Sequence, residues 1–120
     1  MKRITLALAG AVLALSGSLA AAADLQAGRA AYERLNCASC HGVDAKSSVD
    51  PSYPIIAGQY ADYLAVALRS YQRGMAGAPA TSNVRNNAIM GAFAVQLSAD
   101  DVVNIAAWLE SLPSELGTRR

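Results

Sequence analysis

Five consecutive residues, Cys37-Ala38-Ser39-Cys40-His41, hold both cysteines and the only histidine of this 120-residue chain. Two thiols three positions apart fall on one side of a helical turn. From there each can add to one of the two vinyl groups of a single porphyrin, and the imidazole that follows lies under the ring, where its neutral nitrogen can bind iron. The spacing Cys-x-x-Cys-His therefore reads as covalent haem attachment. A chain built around a large flat group must wrap it, and that limits the fold more than any other feature. Three other readings compete. A structural zinc site wants four Cys or His ligands, and three are present in all. A thioredoxin-like redox pair needs a βαβ context, which the pattern lacks. A disulfide closing so short a loop adds little stability and leaves His41 unexplained.

The N-terminus reads as an export segment. Lys2 and Arg3 precede the apolar run Ile4 to Leu15, and Ala21-Ala22-Ala23 forms an A-x-A site that places cleavage before Asp24. Residues 1–23 are thus expected to be a cleaved secretory signal peptide and 24–120 one domain in the periplasm. The alternative is an uncleaved anchor, since Ile4 to Ala23 is just long enough to span a bilayer. The full chain has ten Lys/Arg against nine Asp/Glu. Loss of Lys2 and Arg3 leaves eight against nine, net −1. That sign argues against nucleic acid and against a polybasic membrane patch.

The mature stretch predicts an all-α domain of three main helices. Asp24 caps the first, which runs to about Asn36 with Leu25, Gly28, Tyr32 and Leu35 on one face. Gly28 on that face costs about 1 kcal/mol against alanine, which usually marks a close approach by another backbone, the alternative being that the glycine is merely tolerated. The stretch from Gly42 to Gly58 carries loop chemistry. A second helix is expected from Gln59 or Tyr60 to a terminating Gly74, with Tyr60, Leu64, Leu68 and Tyr71 inward and Ala67 beside them. Met75 to Asn87 reads as a loop with one helical turn at most. Ser98 and Asp101 resemble a capping box for a last helix, with Val102, Ile105, Leu109 and Leu112 buried, Trp108 flanking and Pro113 as the stop. Loops of about fifteen residues are unusual in a compact domain unless they serve a function, and wrapping a cofactor is one.

His41 being the only histidine, a second axial ligand within the chain would be a methionine thioether. Met75 and Met90 remain once Met1 leaves. Met90 follows a polar stretch and precedes the Leu97-Ser98 start of the last helix by seven residues, so it can reach the iron while that helix packs elsewhere. Core filling is the competing role for either methionine.

In this order the residues resemble a class I c-type cytochrome of the small bacterial periplasmic kind. The resemblance rests on Cys37-Ala38-Ser39-Cys40-His41, Tyr53-Pro54-Ile55-Ile56-Ala57-Gly58-Gln59, Tyr63-Leu64, Tyr71-Gln72-Arg73-Gly74, Asn87, Met90, Leu97-Ser98-Ala99-Asp100-Asp101 and Ile105-Ala106-Ala107-Trp108-Leu109. It implies one haem c, thioether-linked at Cys37 and Cys40, with iron between His41 and Met90. It implies that the Pro54 carbonyl accepts the other ring N–H of His41, and that Gly28 and Tyr32 pack against Trp108. Tyr53, Arg69, Tyr71, Arg85 and Asn87 are candidates to meet the haem propionates. The function implied is one-electron transfer rather than catalysis, by a monomer with transient redox partners and no stable membrane association. The alternatives are a haem subunit of a larger oxidoreductase and a ligand-binding haem sensor or peroxidase-like protein.

Overall fold

A computed structural model describes residues 22–116, so the expected signal peptide lies almost wholly outside the described residues. Five α-helices follow in order: α1 Leu25–Arg34, α2 Ala38–His41, α3 Ala61–Met75, α4 Ala88–Ala94 and α5 Ala99–Ser111. A single 3₁₀ turn, Ala80–Ser82, lies between α3 and α4, and no strand occurs among the described residues.

The ends of the domain are joined by α1 packing on α5, and α3 packs on both α4 and α5. The Asp24 carboxylate accepts the N–H groups of Gln26 and Ala27 at 2.9 and 3.0 Å, which satisfies donors that a helix start leaves free. Gly28 faces the Asn104 backbone. A Cβ there would meet the Asn104 carbonyl oxygen and lie 2.6 Å from its carbon and 2.9 Å from the Trp108 Cβ. The missing side chain lets the two helices touch, and the Tyr32 and Trp108 rings then meet tilted at 53° with centroids 4.9 Å apart. Tyr32, Val102, Ile105 and Leu109 are buried here, each contributing about 1.5–3 kcal/mol. Leu25, expected on the same face, is 45% exposed.

Three boundaries differ from expectation, each for a local reason. The first helix ends at Arg34 because Asn36 turns left-handed at φ 53°, a conformation asparagine tolerates, and this aims the chain at Cys37. Gly74 lies inside α3, where its bare Cα admits the Arg85 carbonyl. Termination falls to Gly77 at φ +72°: its N–H bonds the Gly74 carbonyl at 3.1 Å and the Ala78 N–H bonds that of Arg73 at 3.0 Å, a Schellman motif. Tyr60 precedes α3 and is exposed rather than inward. Helix α2 is the helical turn expected at the two thiols, whereas α4 is unexpected, its seven residues being too short to show an amphipathic period.

The capping box of α5 forms as the sequence suggests. The Asp101 N–H donates to Ser98 Oγ at 3.0 Å, and the Ser98 N–H donates to Asp101 Oδ2 at 3.1 Å. Arg34 of α1 reaches the same carboxylate at 3.0 Å. The Arg34 guanidinium, with the Ser98 N–H, holds the Asp101 carboxyl below the usual carboxylate range. A lowered folded pKa means stability present above the unfolded value and lost as pH falls through the folded one. Asp101→Asn is therefore expected to cost about 1 kcal/mol at pH 7, mostly through the cap, because the exposed ion pair adds little. The difference from wild type should shrink below about pH 4 and vanish in stronger acid. Urea midpoints of both proteins between pH 7 and 3 check it.

Candidate functional site

A cavity of about 580 Å³ opens between the helices, and all five contribute to its wall. It gathers Cys37, Cys40, His41, Pro54 and Met90, residues spread over fifty positions of sequence. Most of the remaining wall is apolar, with Leu64 and Leu68 from α3, Phe93 from α4, and Ile105 and Leu109 from α5.

The short helix α2 is the attachment turn. Cys37 caps it, its carbonyl accepting the His41 N–H at 3.1 Å, so both sulfurs and the imidazole come from one turn. Both cysteines are half-buried free thiols. Burial pushes the Cys37 thiol upward in pKa, which disfavours a reactive thiolate. His41 is only 6% exposed, and its Nδ1 lies 3.0 Å from the Pro54 carbonyl oxygen. A carbonyl can only accept, so Nδ1 carries the proton and Nε2 is left as the basic nitrogen. Pro54 is brought there by the 42–60 loop, folded on itself where the Ala45 carbonyl accepts the N–H groups of Ile56 and Ala57, both at 3.0 Å.

Met90 sits in the first turn of α4. Asn87 caps that helix, its Oδ1 accepting the Met90 N–H at 2.9 Å, so the residue expected to approach the iron from a flexible stretch is on a helix. Met75 is absent from the cavity wall, 51% exposed, and packed on Gly91, where a Cβ would lie 2.6 Å from its sulfur. Four of the five residues considered for the propionates, Tyr53, Tyr71, Arg85 and Asn87, line the cavity; Arg69 does not and faces outward. The Arg85 guanidinium donates to the Tyr63 hydroxyl at 3.2 Å and lies 5.5 and 5.6 Å from the ring centroids of Tyr63 and Tyr71. The hydroxyls of Tyr63 and Tyr71 raise its pKa further, so a fixed positive charge stands at this polar part of the wall.

This donor set suits a haem and not a structural zinc. One basic imidazole, one thioether and two thiols on an adjacent turn share an apolar cavity, and no three His, Cys, Asp or Glu among the described residues are placed so that they could together hold a metal ion. Sequence reasoning passed over Ile89 and Phe93, because α4 itself went unseen. The spacing of Phe93 from Met90, three residues on one helical face, was the available signal.

The cytochrome c family profile matches residues 25–113. A thiosulfate dehydrogenase electron acceptor from Stutzerimonas stutzeri (strain A1501) is 34% identical over 118 residues, covering 95% of this chain and 50% of that protein. Cytochrome c-554(548) of Halomonas halodenitrificans is 35% identical over 75 residues, 62% of this chain and 82% of that one. Among solved structures, reduced recombinant cytochrome c4 from Pseudomonas stutzeri superposes with a TM-score of 0.67 at 34% identity, over 80% of this chain and 49% of that one. The chain thus spans about half the length of the Stutzerimonas protein and of the solved cytochrome c4.

Proposed function

We propose that this chain, which belongs to the cytochrome c family, is a one-electron carrier of the periplasm. Family membership brings a covalently attached haem c, anchored here by Cys37 and Cys40, whose iron supplies a one-electron couple between ferric and ferrous states. The observation that carries the reading is that His41 and Met90 line the same apolar cavity as the two cysteines.

In this reading each residue does one defined thing. Cys37 and Cys40 tether the group through thioethers. His41 presents Nε2, held in that tautomer and orientation by the Pro54 carbonyl. Met90 presents its sulfur from a helix turn that Asn87 fixes. Leu64, Leu68, Ile105 and Leu109 keep water from the iron, and low dielectric with a thioether ligand favours the less charged ferrous state. Arg85 and the tyrosines beside it offer a polar end for the propionates. If His41 and Met90 both hold the iron, no position would be left for a substrate, which favours the carrier role over a sensor or peroxidase.

Export rests on the basic start, apolar run and Ala21-Ala22-Ala23 site, and places attachment and function in the periplasm. Partners would be redox proteins that dock transiently. Because the Stutzerimonas relative is a thiosulfate dehydrogenase electron acceptor, a thiosulfate dehydrogenase is one donor to test. A second reading, a haem subunit of a larger oxidoreductase, is favoured by the relatives that are twice as long.

Oxidised and reduced spectra of the purified protein, with a potentiometric titration, test the proposal. The expected result is a single one-electron wave, haem that resists acid-acetone extraction, and no carbon monoxide binding when reduced. Ready carbon monoxide binding with peroxide turnover would overturn it, and co-purification in a stable assembly would move the chain to the subunit reading.

A further inference from the structure

Helix α4 is only seven residues long and carries Gly91 at its middle. Such a segment does not stay helical by itself: helices under about twelve residues are marginal in water, and an internal glycine costs about 1 kcal/mol more. Its N-terminal end is closed by Asn87. At its other end, one side chain from α3 reaches across: Gln72 Nε2 donates to the Ala94 carbonyl at 2.9 Å and to the Leu97 carbonyl at 3.0 Å. The Ala94 carbonyl ends α4 and also accepts the Leu97 N–H at 3.1 Å, and the Leu97 carbonyl lies in the turn beyond it, so Gln72 ties the helix end and its exit to α3. Neighbouring residues of α3 hold the approach to α4 in the same way. The Ser70 carbonyl accepts the Arg85 N–H at 3.0 Å, and Arg73 Nη2 donates to the Asn83 carbonyl at 2.8 Å. Gln72 is the α3 side chain that hydrogen-bonds the C-terminal end of α4 itself.

We propose that Gln72 is a positioning residue for axial ligation, clamping α4 so that the Met90 thioether stays on the iron. This rests on Met90 being the ligand, as proposed above. Without the clamp, the Leu97 carbonyl loses the Gln72 donor and the Ala94 carbonyl keeps only the Leu97 N–H, α4 unwinds from its C-terminal end through Gly91, and the turn bearing Met90 loosens. The state with the sulfur off the iron becomes more populated. A competing ligand binds only that state, so its apparent affinity rises by the same factor as the population.

The test is imidazole binding to the ferric full-length holoprotein, read optically together with the far-red band of iron–thioether bonding. Gln72→Leu removes the donor and is expected to raise imidazole affinity about five- to tenfold, the worth of a lost hydrogen bond with part-buried acceptors. Gln72→Glu keeps the shape but sets a carboxylate against two carbonyls, and should raise it at least as much. Gln96→Leu loses an amide–carbonyl bond of similar length, 2.9 Å to Ala92, that folds the residue after α4 back onto that helix without reaching α3, and should leave affinity within about twofold. Asp24→Ala, which lowers overall stability at a distant cap, should leave it unchanged. Gln72→Leu and Gln72→Glu at wild-type affinity, beside a Met90→Ala that loses the band, would overturn the clamp alone. A band that survives Met90→Ala would overturn the ligand assignment and the clamp with it. Equal rises in Asp24→Ala and Gln72→Leu would overturn the positioning role in favour of general stability.

Discussion

Met90→Ala is expected to abolish the far-red band, open the ferrous iron to carbon monoxide, and lower the reduction potential by on the order of a hundred millivolts or more. That size is a modest share of the roughly 0.8 V over which axial ligation moves haem potentials. The direction follows because a thioether favours ferrous iron more than water or hydroxide does. Met75→Ala is the matched comparison. Its sulfur lies against Gly91 outside the cavity wall, so its loss removes packing and no donor. The half-exposed side chain should cost about 1 kcal/mol, less than the 2–5 kcal/mol of a buried methionine, with the band intact. Optical spectra and potentiometry of the three proteins decide it. A band lost in Met75→Ala and kept in Met90→Ala would reverse the assignment.

Gly28→Ala is expected to destabilise the holoprotein by about 3 kcal/mol, although alanine is the better helix former. Two effects oppose each other. Helix propensity favours alanine by about 1 kcal/mol. Against it, the new Cβ lands on the Asn104 carbonyl group, 2.6 Å from the carbon, and 2.9 Å from the Trp108 Cβ. Backbone atoms inside a helix cannot move aside as a side chain can, so α1 must lift from α5 and the tilted Tyr32–Trp108 ring contact opens. Overpacking of this kind outweighs the propensity gain. Guanidinium unfolding followed at the haem absorbance measures it. A variant as stable as wild type would mean that the helices do not approach so closely.

The haem-binding turn was legible because its chemistry is local. Cys37, Cys40 and His41 need only one helical turn to do their work, and five residues encode that turn. Helices α1, α3 and α5 were legible because each is long enough for its inward face to recur at helical spacing, and because Asp24, Ser98 and Asp101 carry capping groups next to it. Even the Gly28 contact could be inferred, since a glycine on a buried face is costly without a neighbour to admit.

Helix α4 could not be read this way. Seven residues cannot complete a pattern, and their helical state is held by Asn87, Gln72 and the packing of Met75 on Gly91, partners up to twenty-five positions away in sequence. The end of α3 was misplaced for a similar reason: Gly74 and Gly77 look alike in sequence, and only the approach of the Arg85 carbonyl to one and the positive φ of the other tell them apart. The sequence by itself determined the cofactor chemistry, the all-α class and the two methionines in contention, because these depend on residue identity and short spacings. Which methionine faces the cavity, which carbonyl receives His41 Nδ1 and what holds the short helix were decided by tertiary structure, because each is a meeting of groups that chain connectivity leaves apart.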